Sequence, residues 1–201
     1  MNSDSKNPAR KKIENLVNLF NSKKYDLLKK ELSNKLKEYP NSDILYNMSG
    51  IFEKITGNLS NAKKFFQKTL ILNPNHLDAY NNLSIVLYEL GNVAESISNL
   101  KKGLNINKNF VPIINSLGNI NFETGNISES LKFFKQGIDL NPDNFLMNYN
   151  YANVLKKDGQ LDEAIKFYKK SINLNSEYLN SYINIASTYL EKKEYIEASN
   201  I

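Results

Sequence analysis

A period of 34 residues constrains this chain more than any other feature. Glycine stands at 57, 91, 125 and 159, and Lys193 takes the next slot. Proline falls on a second grid at 40, 74 and 142, with Lys108 and Ser176 at the two points between and beyond. Short endings repeat with it: LNPN at 72–75, INKN at 106–109, LNPD at 140–143 and LNSE at 174–177. Inside one period, apolar residues recur at helical spacing through Tyr80, Leu83, Leu87 and Leu90. Gly91 and Asn92 interrupt them, and a second stripe runs through Val93, Ile97, Leu100 and Leu104. A glycine just past a periodic run supplies the left-handed residue that ends a helix. Each period therefore reads as two antiparallel helices joined by a short turn.

With repeats counted from 9, 43, 77, 111, 145 and 179, three columns are small. Position 8 holds Gly50, Ser84, Gly118, Ala152 and Ala186; position 20 holds Ala62, Ser96, Ser130, Ala164 and Ala198; position 27 holds Thr69, Gly103, Gly137 and Ser171. Position 24 is large (Phe66, Leu100, Phe134, Tyr168), as is position 28 (Leu70, Leu104, Ile138, Ile172). Small residues there are expected to let the two helices of a repeat approach closely. Period and columns together resemble the tetratricopeptide repeat (TPR) family. The resemblance implies an all-α fold, an α-solenoid that winds antiparallel helix pairs into a right-handed superhelix.

The expected organisation is a disordered tail over 1–8 and a degenerate capping repeat over 9–42, where Leu16, Leu28 and Lys35 occupy the small columns. Four regular repeats follow, 43–76, 77–110, 111–144 and 145–178, and then an incomplete sixth over 179–201. That last repeat stops before its bulky position 24. The expectation drawn from this is a fragment of a longer protein, with an open apolar end that could self-associate. Ser60, Ser128 and Asp162 are expected to N-cap the second helices, and Pro112 suits a first helical turn. Ser49 and Glu53 depart from apolar positions in the second repeat, and Asn148 from an aromatic one.

Little in the chain points to chemistry. There is no cysteine, so no disulfide and no thiol nucleophile, which suits a cytoplasmic protein. No apolar run reaches membrane-span length, and the first residues lack the apolar core of a secretory signal. The sequons at Asn47, Asn58, Asn82 and Asn126 follow from an asparagine- and serine-rich composition. His76 is the only histidine and lies in an inter-repeat loop, without a second ligand. Asp162 and Glu163 suit the positive end of a helix dipole. The whole net charge of +5 lies in residues 1–42. Arg10 is the only arginine there and no aromatics interleave, so a solvated lysine-rich face is expected rather than a nucleic-acid site. No catalytic residue, metal, cofactor or small-molecule substrate is expected.

What remains is the inner groove. The resemblance implies that positions 2, 5, 6, 9, 12 and 13 of each first helix face it. The expected peptide-binding residues are Asn81, Asn82, Asn115, Asn119, Asn150, Asn153 and Asn184. An amide both donates and accepts, so such a ladder can pair with the main chain of an extended peptide. Asn82, Asn150 and Asn184 lie in no packing column, so replacing all three by alanine is expected to spare the fold. The YNNL run at 80–83 resembles the TPR half of O-linked N-acetylglucosamine transferases, where a position-6 asparagine ladder holds substrate peptide. Here that ladder departs at Met48 and Ser116. A clamp for a partner's terminal carboxylates would need lysine and arginine at positions 2, 5 and 6, which repeats two to six lack. The expected function is a non-enzymatic protein-interaction scaffold. The alternative is the substrate-recognition arm of a larger enzyme, above all an O-linked glycosyltransferase.

Overall fold

The structure, a computed structural model, describes residues 6–201. Among these the fold is all-α, an α-solenoid of twelve helices without a strand. They form two compact units that meet in sequence between Ile106 and Asn107. The first contains α1 (Arg10–Asn21), α2 (Tyr25–Glu38), α3 (Asp43–Ile55), α4 (Leu59–Leu72), α5 (Leu77–Glu89) and α6 (Val93–Ile106). The second contains α7 (Val111–Glu123), α8 (Ile127–Leu140), α9 (Phe145–Lys157), α10 (Leu161–Leu174), α11 (Leu179–Glu191) and α12 (Tyr195–Ser199).

The glycine grid ends each first helix. Gly57, Gly91, Gly125 and Gly159 have φ between 79° and 82°, a region a Cβ disfavours. Lys193 occupies the same conformation at φ 63°, and so does Lys23 at φ 55°, one period before Gly57. A non-glycine residue there costs about 1–2 kcal/mol, partly offset by the entropy a glycine loses on folding. Lys23→Gly is therefore expected to stabilise the first unit by about 0.5–1 kcal/mol. A thermal melt that shows no gain would contradict this.

The turn is so tight that the second helices begin at Leu59, Ile127 and Leu161. Ser60, Ser128 and Asp162 are thus second helical residues, and the expected N-caps are displaced. Asn58, Asn126 and Gln160 stand at those N-caps, without a side-chain cap bond. Side-chain caps belong to the first helices instead, from Ser42, His76 and Asn144. The repeated asparagine of the LNPN-type endings closes an Asx turn: Asn73, Asn107 and Asn175 Oδ1 accept from the backbone N–H two residues on. Asn148 replaces an aromatic by donating to the carbonyls of Pro142 and Asn144.

The small and large columns interlock within a repeat. A Cβ on Gly50 would stand 2.6 Å from the Phe66 ring, and one on Gly118 2.8 Å from that of Phe134. Position 20 adds a hydrogen bond across the same seam. Ser96 Oγ donates to the Ser84 carbonyl at 2.7 Å, and Ser130 Oγ to that of Gly118 at 2.8 Å. Position 27 acts differently from expectation. A Cβ on Gly137 would meet Met147 of the next repeat at 2.7 Å but Ile114 of its own repeat only at 3.5 Å. Ser171 likewise bonds Ser181 of the following helix at 2.9 Å. This column sets the contact between repeats, because the second helix turns that side toward its successor.

In the first unit Leu16, Leu28 and Leu32 pack with Leu45 and Phe52, and Phe66 with Leu83 and Leu87. In the second, Tyr168 is buried with Ala152, Ala164, Ile185 and Tyr189. The tail expected over 1–8 falls outside the described residues for 1–5, while residues 6–8 are docked. Lys6 Nζ pairs with Asp43 at 3.0 Å and bonds the Leu72 carbonyl, Asn7 accepts from Ser42 Oγ, and Pro8 is buried.

Two carboxylates in this unit titrate low. Lys12 and Lys35 hold Glu38 down, from 4.5 to about 2. Burial alone would raise Asp43, but Asn73 and Lys6 outweigh it and keep its carboxyl below the ordinary value. A carboxyl depressed on folding stabilises above its unfolded pKa and loses that contribution as pH falls through the folded one. The first unit should therefore lose stability between pH 4.5 and about 2. Glu38→Gln should flatten that limb of a melting-temperature profile; an identical profile would refute the assignment.

Candidate functional site

The second unit brings five of the expected asparagines together on successive first helices. Asn115 and Asn119 lie on α7, Asn150 and Asn153 on α9, and Asn184 on α11. Helical periodicity puts positions 5, 6 and 9 on one face, and stacking the helices side by side brings position 6 of one against positions 5 and 9 of the preceding one. Asn150 Nδ2 donates to Asn119 Oδ1 at 3.3 Å and, more weakly, to Asn115 Oδ1 at 3.5 Å. Asn184 Nδ2 repeats the contact one helix further, donating to Asn153 Oδ1 at 2.8 Å and Tyr149 Oη at 3.0 Å. Tyr168 Oη also donates to Asn153 Oδ1, at 2.6 Å. Burial pushes the Tyr168 phenol well above its ordinary pKa, and the neighbouring Tyr149 adds to it, so it stays a donor.

Each amide uses only part of its capacity in these bonds. The Nδ2 groups of Asn115, Asn119 and Asn153 and the Oδ1 groups of Asn150 and Asn184 have no bond among the described residues. All five side chains are half-buried rather than sealed. Asn153, Tyr168 and Asn184 line a cleft of about 600 Å³ with Phe122, Lys156, Lys157 and Glu191. Lys156 is already engaged, donating to Ser187 Oγ at 2.8 Å and standing 3.8 Å from Glu191. Lys157 is exposed. Asn81 and Asn82 lie on α5 of the first unit, both half-buried. The mutual bonding of the asparagines is the feature that sequence reasoning missed. Its signal was present: asparagine at position 9 of one repeat and at position 6 of the next.

Other residues singled out from sequence have structural roles. His76 caps α5, its Nδ1 accepting from Ala79 N–H at 3.3 Å, which places the ring proton on Nε2. Asp162 pairs with Lys192, and Glu163 with Lys166. Among the described residues no three metal-ligating side chains cluster, and no helix is long and apolar enough to cross a membrane.

A family model described as tetratricopeptide repeat matches residues 11–175. The chain belongs to the tetratricopeptide repeat family. Three solved structures show how widely this TPR fold is shared. TTC0263, a thermophilic TPR protein of Thermus thermophilus, is 21% identical with a TM-score of 0.74, over 90% of this chain and 98% of that one. Pseudomonas aeruginosa pilF is 15% identical with a TM-score of 0.79, over 93% and 86%. YrrB, described as a TPR protein with an unusual peptide-binding site, is 17% identical with a TM-score of 0.64, over 87% and 90%. None of the curated proteins matches this sequence. At these identities the likeness is one of fold, and this TPR protein's ligand has to be argued from its own side chains.

Proposed function

We propose that this TPR protein is a non-catalytic scaffold that holds an extended segment of a partner protein along α7, α9 and α11. The observation that carries the reading is the half-used amide ladder. Its internal bonds fix the rotamers, and the remaining donors and acceptors stand ready for a peptide main chain. Recognition through main-chain groups depends on an extended shape rather than on a particular sequence. Asn81 and Asn82 offer the same chemistry on α5. The description of YrrB as peptide-binding is consistent with such a use of the fold. A glycosyltransferase arm is the second reading, favoured by the recurrence of asparagine at position 6 in Asn150 and Asn184. It requires a catalytic domain on the same polypeptide.

The test replaces donors and keeps the internal acceptors. Asn119→Asp with Asn153→Asp leaves an oxygen for Asn150, Asn184 and Tyr168, but removes the amide N–H groups that would meet peptide carbonyls. Losing two hydrogen bonds of about 0.5–1.5 kcal/mol each should weaken binding roughly tenfold to a hundredfold. The measurement is fluorescence anisotropy on binders selected from an array of random extended peptides. Unchanged affinity with an unchanged melting temperature would sink the groove reading.

A further inference from the structure

The second repeat departs from its siblings where α3 faces α2. Position 7 is Leu83, Leu117, Tyr151 and Ile185 in the later repeats, and position 11 is Leu87, Asn121, Leu155 and Tyr189. In repeat two the same positions are Ser49 and Glu53, and both are buried, at 4% and 8% exposure. Ser84 and Thr188 return their hydroxyls to the carbonyl four residues back. Ser49 does not, and its Oγ has no hydrogen-bond partner among the described residues. Glu53 accepts one long bond, from Asn61 Nδ2 to Oε2 at 3.4 Å. Both side chains line a cavity of about 370 Å³ whose walls include Leu32, Leu36, Phe52 and Phe65. Lys29 and Lys37 of α2 stand at the same cavity, exposed and without an ion pair among the described residues.

We propose that this cavity is a docking slot for an arginine side chain on a partner protein segment whose flanking residues are acidic. A buried hydroxyl without a partner among the described residues, beside a carboxylate that accepts one long bond, calls for a ligand rich in N–H groups. A guanidinium carries five in a planar fork that fits a carboxylate, and it stacks on aromatic rings such as those of Phe52 and Phe65. Its three-carbon stem suits the apolar walls. Lys29 and Lys37 beside the opening would repel a strongly basic segment and attract acidic neighbours of the arginine. The lining uses positions 7, 10 and 11 of α3, not the groove positions 5, 6 and 9, so the slot is independent of the amide ladder.

The test is amide NMR titration of the whole chain with a blocked Glu-Gly-Arg-Gly-Glu peptide, its citrulline counterpart and agmatine. Saturable shifts at Ser49, Glu53 and Phe65 are expected with the arginine peptide, and at least about tenfold weaker binding with citrulline, which lacks the charge. Glu53→Gln should weaken the arginine peptide by a similar factor. Lys29→Ala with Lys37→Ala should weaken the peptide but not agmatine. Glu53→Leu should abolish binding and raise the melting temperature, as leucine occupies this position in two later repeats. Equal binding of the citrulline peptide, or an unaffected Glu53→Gln, would overturn the proposal. Agmatine binding as tightly as the peptide would make this a small-molecule site instead. Tighter peptide binding without the lysines would show that they fill the slot themselves, and a lower melting temperature for Glu53→Leu would make the polar lining structural.

Discussion

Gly118→Leu is expected to destabilise the second unit by about 3 kcal/mol or more, the upper end of overpacking costs. A Cβ at this position would stand 2.8–2.9 Å from three carbons of the Phe134 ring. That ring cannot step aside: it is 1% exposed and packed with Met147 and Val154. Gly50 faces Phe66 in the same way, at 2.6–2.9 Å. Gly137→Leu should cost less, about 1–2 kcal/mol, because its first obstacle is the flexible end of Met147. Urea denaturation of the two variants ranks them directly. A Gly137→Leu protein less stable than Gly118→Leu would contradict the division between seams inside a repeat and seams between repeats. Phe134→Leu should partly rescue Gly118→Ala, so that the two changes couple in a double-mutant cycle.

Asn150→Ala combined with Asn184→Ala should cost stability as well as ligand. Asn184 loses bonds of 2.8 and 3.0 Å, and Asn150 two longer ones of 3.3 and 3.5 Å. At about 0.5–1.5 kcal/mol per good bond, the double variant should lose roughly 2–4 kcal/mol, most of it at Asn184. Hydrogen exchange should localise the loss, with α11 amides exchanging faster while α7 and α8 keep their protection. Uniform protection in the double variant would mean that the amide contacts contribute nothing to the stack. Faster exchange in α11 would overturn the expectation that Asn150 and Asn184 can be replaced without touching the fold. Asn119→Leu should cost stability too, since Asn119 accepts from Asn150. The acid substitutions at Asn119 and Asn153 separate ligand from fold because they keep the accepting oxygen in place.

The one-dimensional pattern carried the fold because a solenoid is built from nearest-neighbour contacts. A 34-residue grid of left-handed glycines and alternating small and large columns specifies helix, turn and helix before any distant contact is considered. The composition likewise ruled out thiol chemistry. Partners across a seam were not legible, because one sequence position can face its own repeat or the next. Gly118 and Gly137 look alike in the sequence, yet one clears Phe134 inside the repeat and the other Met147 beyond it. The surplus of asparagine was ambiguous for the same reason. Asn73, Asn107 and Asn175 close loop turns, Asn121 and Asn148 bond carbonyls near their own helices, and Asn150 and Asn184 tie neighbouring helices together. An amide's role is set by which donors and acceptors lie within hydrogen-bonding reach of it, and only the stacked helices decide that. The pattern alone determined the repeat, the turns and the small columns. Tertiary structure alone decided that the candidate groove is tied together by its own amides, and that Ser49 and Glu53 share a cavity, because both depend on contacts between helices rather than along one.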